Sequence, residues 1–198
     1  MPSPPVKKDR KEDIFEAALE CFNETGYYKT SIDKIAEKAR ISKGGIYYHF
    51  KSKEELFIKL FTFRCNKYLA QVRTEIQDIE DPEERLEQFI EKAGRLSLQN
   101  EDFLRFFIEF MTMGLRDPDI YEVMTTYYKN SVKNFRDLIQ AGIDTGRFKR
   151  VDTAEVARRV YFLSAGIFFT YFTVRTNFDL AKEHTRQIEE FLESIKNC

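Results

Sequence analysis

Thr30-Ser-Ile-Asp-Lys-Ile-Ala-Glu-Lys-Ala-Arg40-Ile-Ser-Lys-Gly-Gly-Ile-Tyr-Tyr-His-Phe50-Lys-Ser-Lys-Glu-Glu-Leu56 holds two short helical patterns separated by a very tight break. Ile32, Ile35, Ala36 and Ala39 recur at i, i+3, i+4 and i+7, the spacing of one apolar helix face. Thr30 or Ser31 can cap this helix, with Asp33 supplying an acidic first turn. The second pattern opens at Ser42, another good N-cap, and turns Ile46 and then Phe50 inward. Only Arg40 and Ile41 separate the two, so the helices must cross steeply, as in a helix-turn-helix. The outward face of the second helix presents Ser42, Lys43, Gly44, Tyr47, Tyr48 and His49. Gly44 and Gly45 let its backbone approach a surface closely. Ser52 and Glu55 then form a capping box that starts a further helix.

The string from Ile41 to Leu56 resembles the DNA-binding signature of the TetR family of transcriptional regulators. Ile35-Ala36, Ser42-Lys43-Gly44, Tyr47-Tyr48-His49-Phe50 and Lys53-Glu54 fall at the family's spacing, so the resemblance is specific over about the first 60 residues. One position departs. The family usually carries glycine in the turn where this chain has Arg40, and a left-handed arginine costs about 1 kcal/mol more than glycine. The resemblance implies an all-α protein: a three-helix bundle with a helix-turn-helix, then a long helix leading into a C-terminal helical bundle for ligand binding and dimerisation. It implies a DNA-binding domain over residues 1–53 and a sensing and dimerising domain over 54–198. It assigns Lys43, Gly44 and Tyr47 to the DNA groove and Thr30, Tyr48, His49 and Lys53 to phosphates. Ser31, Ser42 and Gly45 complete the candidate contact set.

Charge gives modest support. The net charge is −1, yet residues 1–53 hold 11 Lys/Arg against 8 Asp/Glu, a balance of +3 that leaves −4 for the remainder. DNA phosphates need local cations rather than a high overall isoelectric point. Cys21, Cys65 and Cys198 form no C-x-x-C pair and are odd in number, which argues against a disulfide framework or zinc site and for a reduced cytoplasm. Cys21 reads as a small core residue. The start of the chain lacks an apolar stretch of signal-peptide type. The longest apolar run, Val160 to Val174, is bracketed by Arg158, Arg159 and Arg175 and falls short of the roughly 20 residues that span a membrane.

Outward from the motif, residues 1–7 read as frayed, and a first helix carries Ile14, Ala17, Ala18, Cys21 and Phe22 inward before Gly26 stops it. A fourth helix starts at Ser52 and can run to about Ile79; roughly 25 helical residues span about 38 Å at 1.5 Å per residue, enough to link two bundles. Asp81-Pro82 and Asp117-Pro118 open the fifth and seventh helices, with aspartate as cap and proline in the first turn. In the sixth, Glu101, Arg105, Glu109, Thr112 and Arg116 share one stripe, which reads as a solvated, salt-bridged face. The eighth is apolar all round, so part of its cover is expected from a second subunit, with Ser164-Ala165-Gly166 allowing close approach. The ninth shows one stripe of His184, Ile188, Phe191, Leu192 and Ile195. His184 reads as a surface or interface residue, and a homodimer is expected through these last two helices.

Phe89, Phe107, Phe110, Tyr127 and Phe135 can surround an apolar guest, fatty-acyl or aromatic. Tyr127, Tyr128 and Ser131 either offer hydroxyls to such a cavity or pack between helices. No nucleotide-binding, zincin or nucleophile-elbow pattern occurs, and with only two histidines acid–base catalysis lacks players; no catalytic residue, cofactor or metal is expected. The leading function is a dimeric, ligand-responsive repressor of a near-palindromic operator. A helical lipid- or small-molecule-binding protein or enzyme, and a constitutive architectural DNA binder, are the alternatives.

Overall fold

A computed structural model describes residues 10–175 and 177–197. The frayed reading of residues 1–7 and the reading of Cys198 lie outside them. Nine helices run through the described residues: α1 (Arg10–Lys29), α2 (Ile32–Lys38), α3 (Lys43–His49), α4 (Lys53–Ile76), α5 (Pro82–Gln99), α6 (Glu101–Met113), α7 (Pro118–Asp144), α8 (Thr153–Thr173) and α9 (Leu180–Glu193).

Most boundaries are side-chain caps that satisfy the otherwise unpaired N–H groups of a first turn. Ser31, Ser42 and Ser52 accept from the backbone of Lys34, Gly45 and Glu55, while Asp81, Asp117, Asp152 and Asp179 open α5, α7, α8 and α9. Glu55 reaches back to the N–H of Lys51, one residue before the cap, so the box at Ser52 is displaced by one donor. Gly26 takes φ +77° and breaks α1 where the sequence places its end, although a further turn continues to Lys29. Arg40 takes φ +56°, the left-handed turn that the family fills with glycine. α6 starts at Glu101, directly after Asn100, with no side-chain cap.

One apolar core runs from the DNA-reading end into the second bundle. Ile14, Phe22, Ile35 and Ile46 join Phe57 and Phe61 of α4, and these pack on Phe103, Phe106 and Phe110 of α6 and Ile120 of α7. A second core ties α5, α7, α8 and α9 together through Leu86, Ile90, Ile139, Val160, Ile188 and Leu192. Near α9's end, Lys149 N–H donates to Ile195 O (2.8 Å) and Asn197 N–H to Arg147 O (2.9 Å), anchoring that end to the α7–α8 connection. Gly142 makes room there: a Cβ would lie 2.2 Å from the Phe148 ring.

The stripe of α9 is spent inside its own chain, since His184, Ile188 and Leu192 are all buried against α5 and α8. This corrects the reading of His184 as a surface residue. α8 differs. Its first turns bury Val156, Ala157 and Val160, but Phe162 (58% exposed), Ala165, Gly166 and Phe169 (45% exposed) form an open apolar stripe.

Candidate nucleic-acid interface and effector cavity

Burial of Ile46 and Phe50 fixes the rotation of α3 and sends the opposite face to solvent. Lys43, Gly44, Tyr47 and Tyr48 are exposed, Tyr48 more fully (85%) than Tyr47 (47%). Ser42 is held as the cap and His49 is half-buried. Gly45 faces the turn instead, where a Cβ would sit 3.4 Å from Ile41. Lys43 Nζ donates to Asp33 Oδ2 (2.9 Å), a hydrogen bond that raises its pKa. Both groups are exposed, so a DNA acceptor can compete for the ammonium.

Thr30 and Lys53 are placed otherwise than as free phosphate donors. Thr30 is 2% exposed, and its hydroxyl lies within hydrogen-bond reach of Gly26 O (2.8 Å), Cys21 O (3.0 Å) and Thr25 Oγ1 (3.0 Å). Lys53 Nζ donates to the carbonyls of Tyr27 (2.7 Å) and Thr30 (2.9 Å) and lies 4.3 Å from the Tyr27 ring centroid. Partial burial lowers the Lys53 pKa. The cause is the break at Gly26: the last turn of α1 leaves carbonyls without helical partners, and a cation from the start of α4 satisfies them. The same break leaves Tyr27 N–H to be taken by Glu109 Oε1 of α6 (2.7 Å). Glu109 is therefore half-buried and clamps α6 to α1, which corrects its reading as part of a solvated stripe. Arg105–Glu101 is the part of that stripe that does pair on the surface (2.6 Å).

A cavity of about 460 Å³ lies among α4 to α9. Phe89, Phe107, Tyr127, Ser131 and Phe135 line it, as the sequence suggested. Phe110 does not. Its ring stacks on Phe61 with centroids 3.9 Å apart and it is fully buried, so it belongs to the shared core. The sequence reading missed Tyr68, Tyr161, Ser164, Phe168 and His184 on the wall. Exposed polar residues of the lining, Thr62 and Asn66 on α4 and Thr126 and Asn130 on α7, mark a mouth between these helices. Among the described residues of the lining, Glu122 is the one acidic side chain, and no lysine or arginine joins it.

Polar groups within the wall are mostly committed. Tyr68 Oη donates to Ala93 O (2.8 Å), as does Ser97 Oγ (2.8 Å), and burial pushes the Tyr68 phenol up to about 12. Burial also drives the Tyr127 phenol well above its usual range, against a hydrogen bond with Ser131, and raises the Cys65 thiol, leaving it inert. His184 is 3% exposed and burial pushes it down to about 4. Its Nε2 is 3.0 Å from Ser164 Oγ, while Nδ1 has no partner among the described residues. A serine beside a histidine is the geometry of an activated nucleophile. Here the imidazole is a poor base, and no carboxylate accepts from Nδ1 to orient it. The pair is a polar contact, not a catalytic one.

A family profile described as "Bacterial regulatory proteins, tetR family" matches residues 14–60, and one described as "BetI-type transcriptional repressor, C-terminal" matches residues 82–195. The chain belongs to the TetR family. It is a ligand-responsive, DNA-binding transcriptional regulator that works as a dimer, not an enzyme. It is similar to the fatty acid metabolism regulator protein of Bacillus subtilis, with 24% identity over 156 residues and 79% of each chain covered. Its fold matches that of a putative regulator from Saccharomonospora viridis in complex with choline (TM-score 0.84, 21% identity, 97% and 100% covered). It also matches that of FadR from Bacillus subtilis in complex with stearoyl-CoA (TM-score 0.80, 21% identity, 93% and 98% covered). No helix among the described residues is long and apolar enough to cross a membrane.

Proposed function

We propose that this TetR-family protein represses transcription from a near-palindromic operator in the cytoplasm and is released by a small hydrophobic effector held in the cavity, fatty-acyl rather than cationic. Residues 1–53 read the DNA, and residues 54–198 sense the effector and dimerise. Lys43, Gly44 and Tyr47 enter the major groove while Tyr48 and His49 meet phosphates. Helix-turn-helix dimers need their reading helices roughly 34–36 Å apart, so a small change in separation ends docking.

One observation carries the reading: a cavity of about 460 Å³, apolar over most of its wall, built on the same α4 and α6 that pack against the DNA-reading helices. That volume falls in the usual range for small-molecule sites, about 300–1,000 Å³. A quaternary ammonium would find aromatic faces but only the exposed Glu122 as counter-charge. The open stripe of α8 supplies the dimer seam. Ala165 and Phe169 belong to both the stripe and the cavity wall, so a partner seated there also closes one side of the site.

The test is fluorescence anisotropy on DNA selected from a random pool, titrated with stearoyl-CoA, decanoate and choline. Release by an acyl compound at micromolar concentration, with choline inert, is expected. Linkage demands that DNA weaken acyl binding by the same factor. Acyl binding that leaves DNA affinity unchanged would mean a carrier rather than a switch.

A further inference from the structure

Resting on the cavity reading above, we propose that Ser164 and His184 form a polar anchor inside the apolar cavity, selecting effectors that carry an uncharged oxygen acceptor such as an ester, thioester or amide carbonyl. His184 is the one described residue of α9 that lines the cavity, entering between α5 and α8. Its Nδ1 is the sole buried side-chain polar atom without a partner among the described residues. It faces Gly94, where a Cβ would lie 3.1 Å away, so glycine on α5 gives the imidazole room that any larger residue would tighten.

The tautomer follows from what each nitrogen meets. A proton on Nδ1 would be a buried donor with no acceptor, which costs more than a buried acceptor lacking a donor. The proton therefore sits on Nε2 and is donated to Ser164 Oγ at 3.0 Å. Ser164 then accepts with its oxygen and keeps its own proton free; no other hydrogen bond of this hydroxyl occurs among the described residues. Tyr68 and Ser97 differ, since both donate to Ala93 O. Ser164 thus offers an uncommitted donor on an apolar wall, made stronger by the donor behind it. The class of acceptor follows from charge. No lysine or arginine among the described residues lines the cavity, and His184 is too buried to ionise readily, so a carboxylate lodged at Ser164 would be an unpaired buried charge. A neutral carbonyl incurs no such cost.

The test uses the full-length protein, pyrene as a hydrocarbon probe followed by its own fluorescence, and methyl decanoate and decanoate as competitors. In the wild type methyl decanoate should displace pyrene at much lower concentration than decanoate does near neutral pH. Ser164→Ala should weaken methyl decanoate about tenfold, the scale of one buried hydrogen bond, and leave pyrene affinity unchanged. Ser164→Thr, which keeps a hydroxyl, should retain most of the ester affinity. Unchanged ester affinity in Ser164→Ala, or equal loss for ester and pyrene, overturns the anchor. Binding of decanoate as tight as its ester overturns the neutral-acceptor class. If no probe enters the wild-type cavity, the cavity reading itself fails along with the anchor.

Discussion

Lys43 and Lys53 both lie in the DNA-binding signature, yet their surroundings give them different work. Lys43 is exposed and pairs with the exposed Asp33, so Lys43→Ala should leave the thermal midpoint close to that of the wild type. If it reads a base edge, the same change relaxes discrimination at one position per half-site by roughly 1–3 kcal/mol. Lys53 instead supports two carbonyls at the α1–α2 corner, so Lys53→Ala should lower stability by about 2 kcal/mol, measured by urea unfolding without DNA. Equal stability of the two variants would return Lys53 to the role of a free phosphate donor. His184 makes a third residue-scale prediction. Its folded-state pKa lies near 4, below the ordinary 6.5, so between those values the unfolded chain takes up a proton that the folded chain refuses. Stability therefore falls as pH drops through 6.5 and the loss is complete near 4, amounting to roughly 3 kcal/mol at about 1.4 kcal/mol per pH unit. His184→Gln should flatten that part of the stability profile relative to wild type, and parallel profiles would rule the assignment out.

At the scale of elements, α8 makes the sharpest claim. Phe162, Ala165, Gly166 and Phe169 lie open along its surface, and a Cβ at Gly166 would meet no atom within 4 Å. Gly166→Glu should therefore leave the isolated chain's fold intact but place a charge in the seam, converting a sedimenting dimer to a monomer. A dimer that persists at micromolar concentration would place the seam elsewhere. Ile188→Glu cannot serve this purpose, because Ile188 is fully buried within its own chain. The contrast shows where sequence stops being informative. Caps, breaks and apolar periods are local, so Ser42, Asp81, Asp117 and Gly26 mark their helix ends without tertiary knowledge. The outward face of α3 follows in the same way from Ile46 and Phe50. What a stripe packs against is not local. Glu109 has the same spacing whether it meets water or Tyr27 N–H, and Phe110 looks like Phe107 until one stacks on Phe61 and the other borders the cavity. His184 and Ser164, 20 residues apart, carry no mutual signal in the chain.

Across the whole molecule, two routes join effector cavity to DNA reader. α4 is one, a helix of 24 residues that starts beside α3 and whose middle, from Phe61 to Leu69, walls the cavity. If it acted as the sole lever, a Gly-Gly insertion near Arg64-Cys65 would abolish effector-driven release. α6 is the other. Phe103, Leu104, Phe107, Ile108 and Met111 border the cavity. On its other side Phe106 packs on Phe22, Asp102 O accepts from Asn23 Nδ2 (2.9 Å), and Glu109 holds Tyr27 N–H. A guest that displaces α6 therefore moves α1 directly, and with it the corner where Lys53 fixes Tyr27 and Thr30. The Gly-Gly insertion should then reduce release without abolishing it. Glu109→Gln should preserve most DNA affinity, since the hydrogen bond of Glu109 goes to Tyr27 of α1 and not to the reading face of α3, yet lower the effector's factor on DNA binding by about three- to tenfold, equivalent to about 0.7–1.4 kcal/mol of coupling. Coupling is the quantity to measure, as the ratio of DNA dissociation constants with and without saturating effector. If Glu109→Gln leaves that ratio intact while the insertion removes it entirely, α4 alone carries the signal and the α6–α1 clamp is only structural.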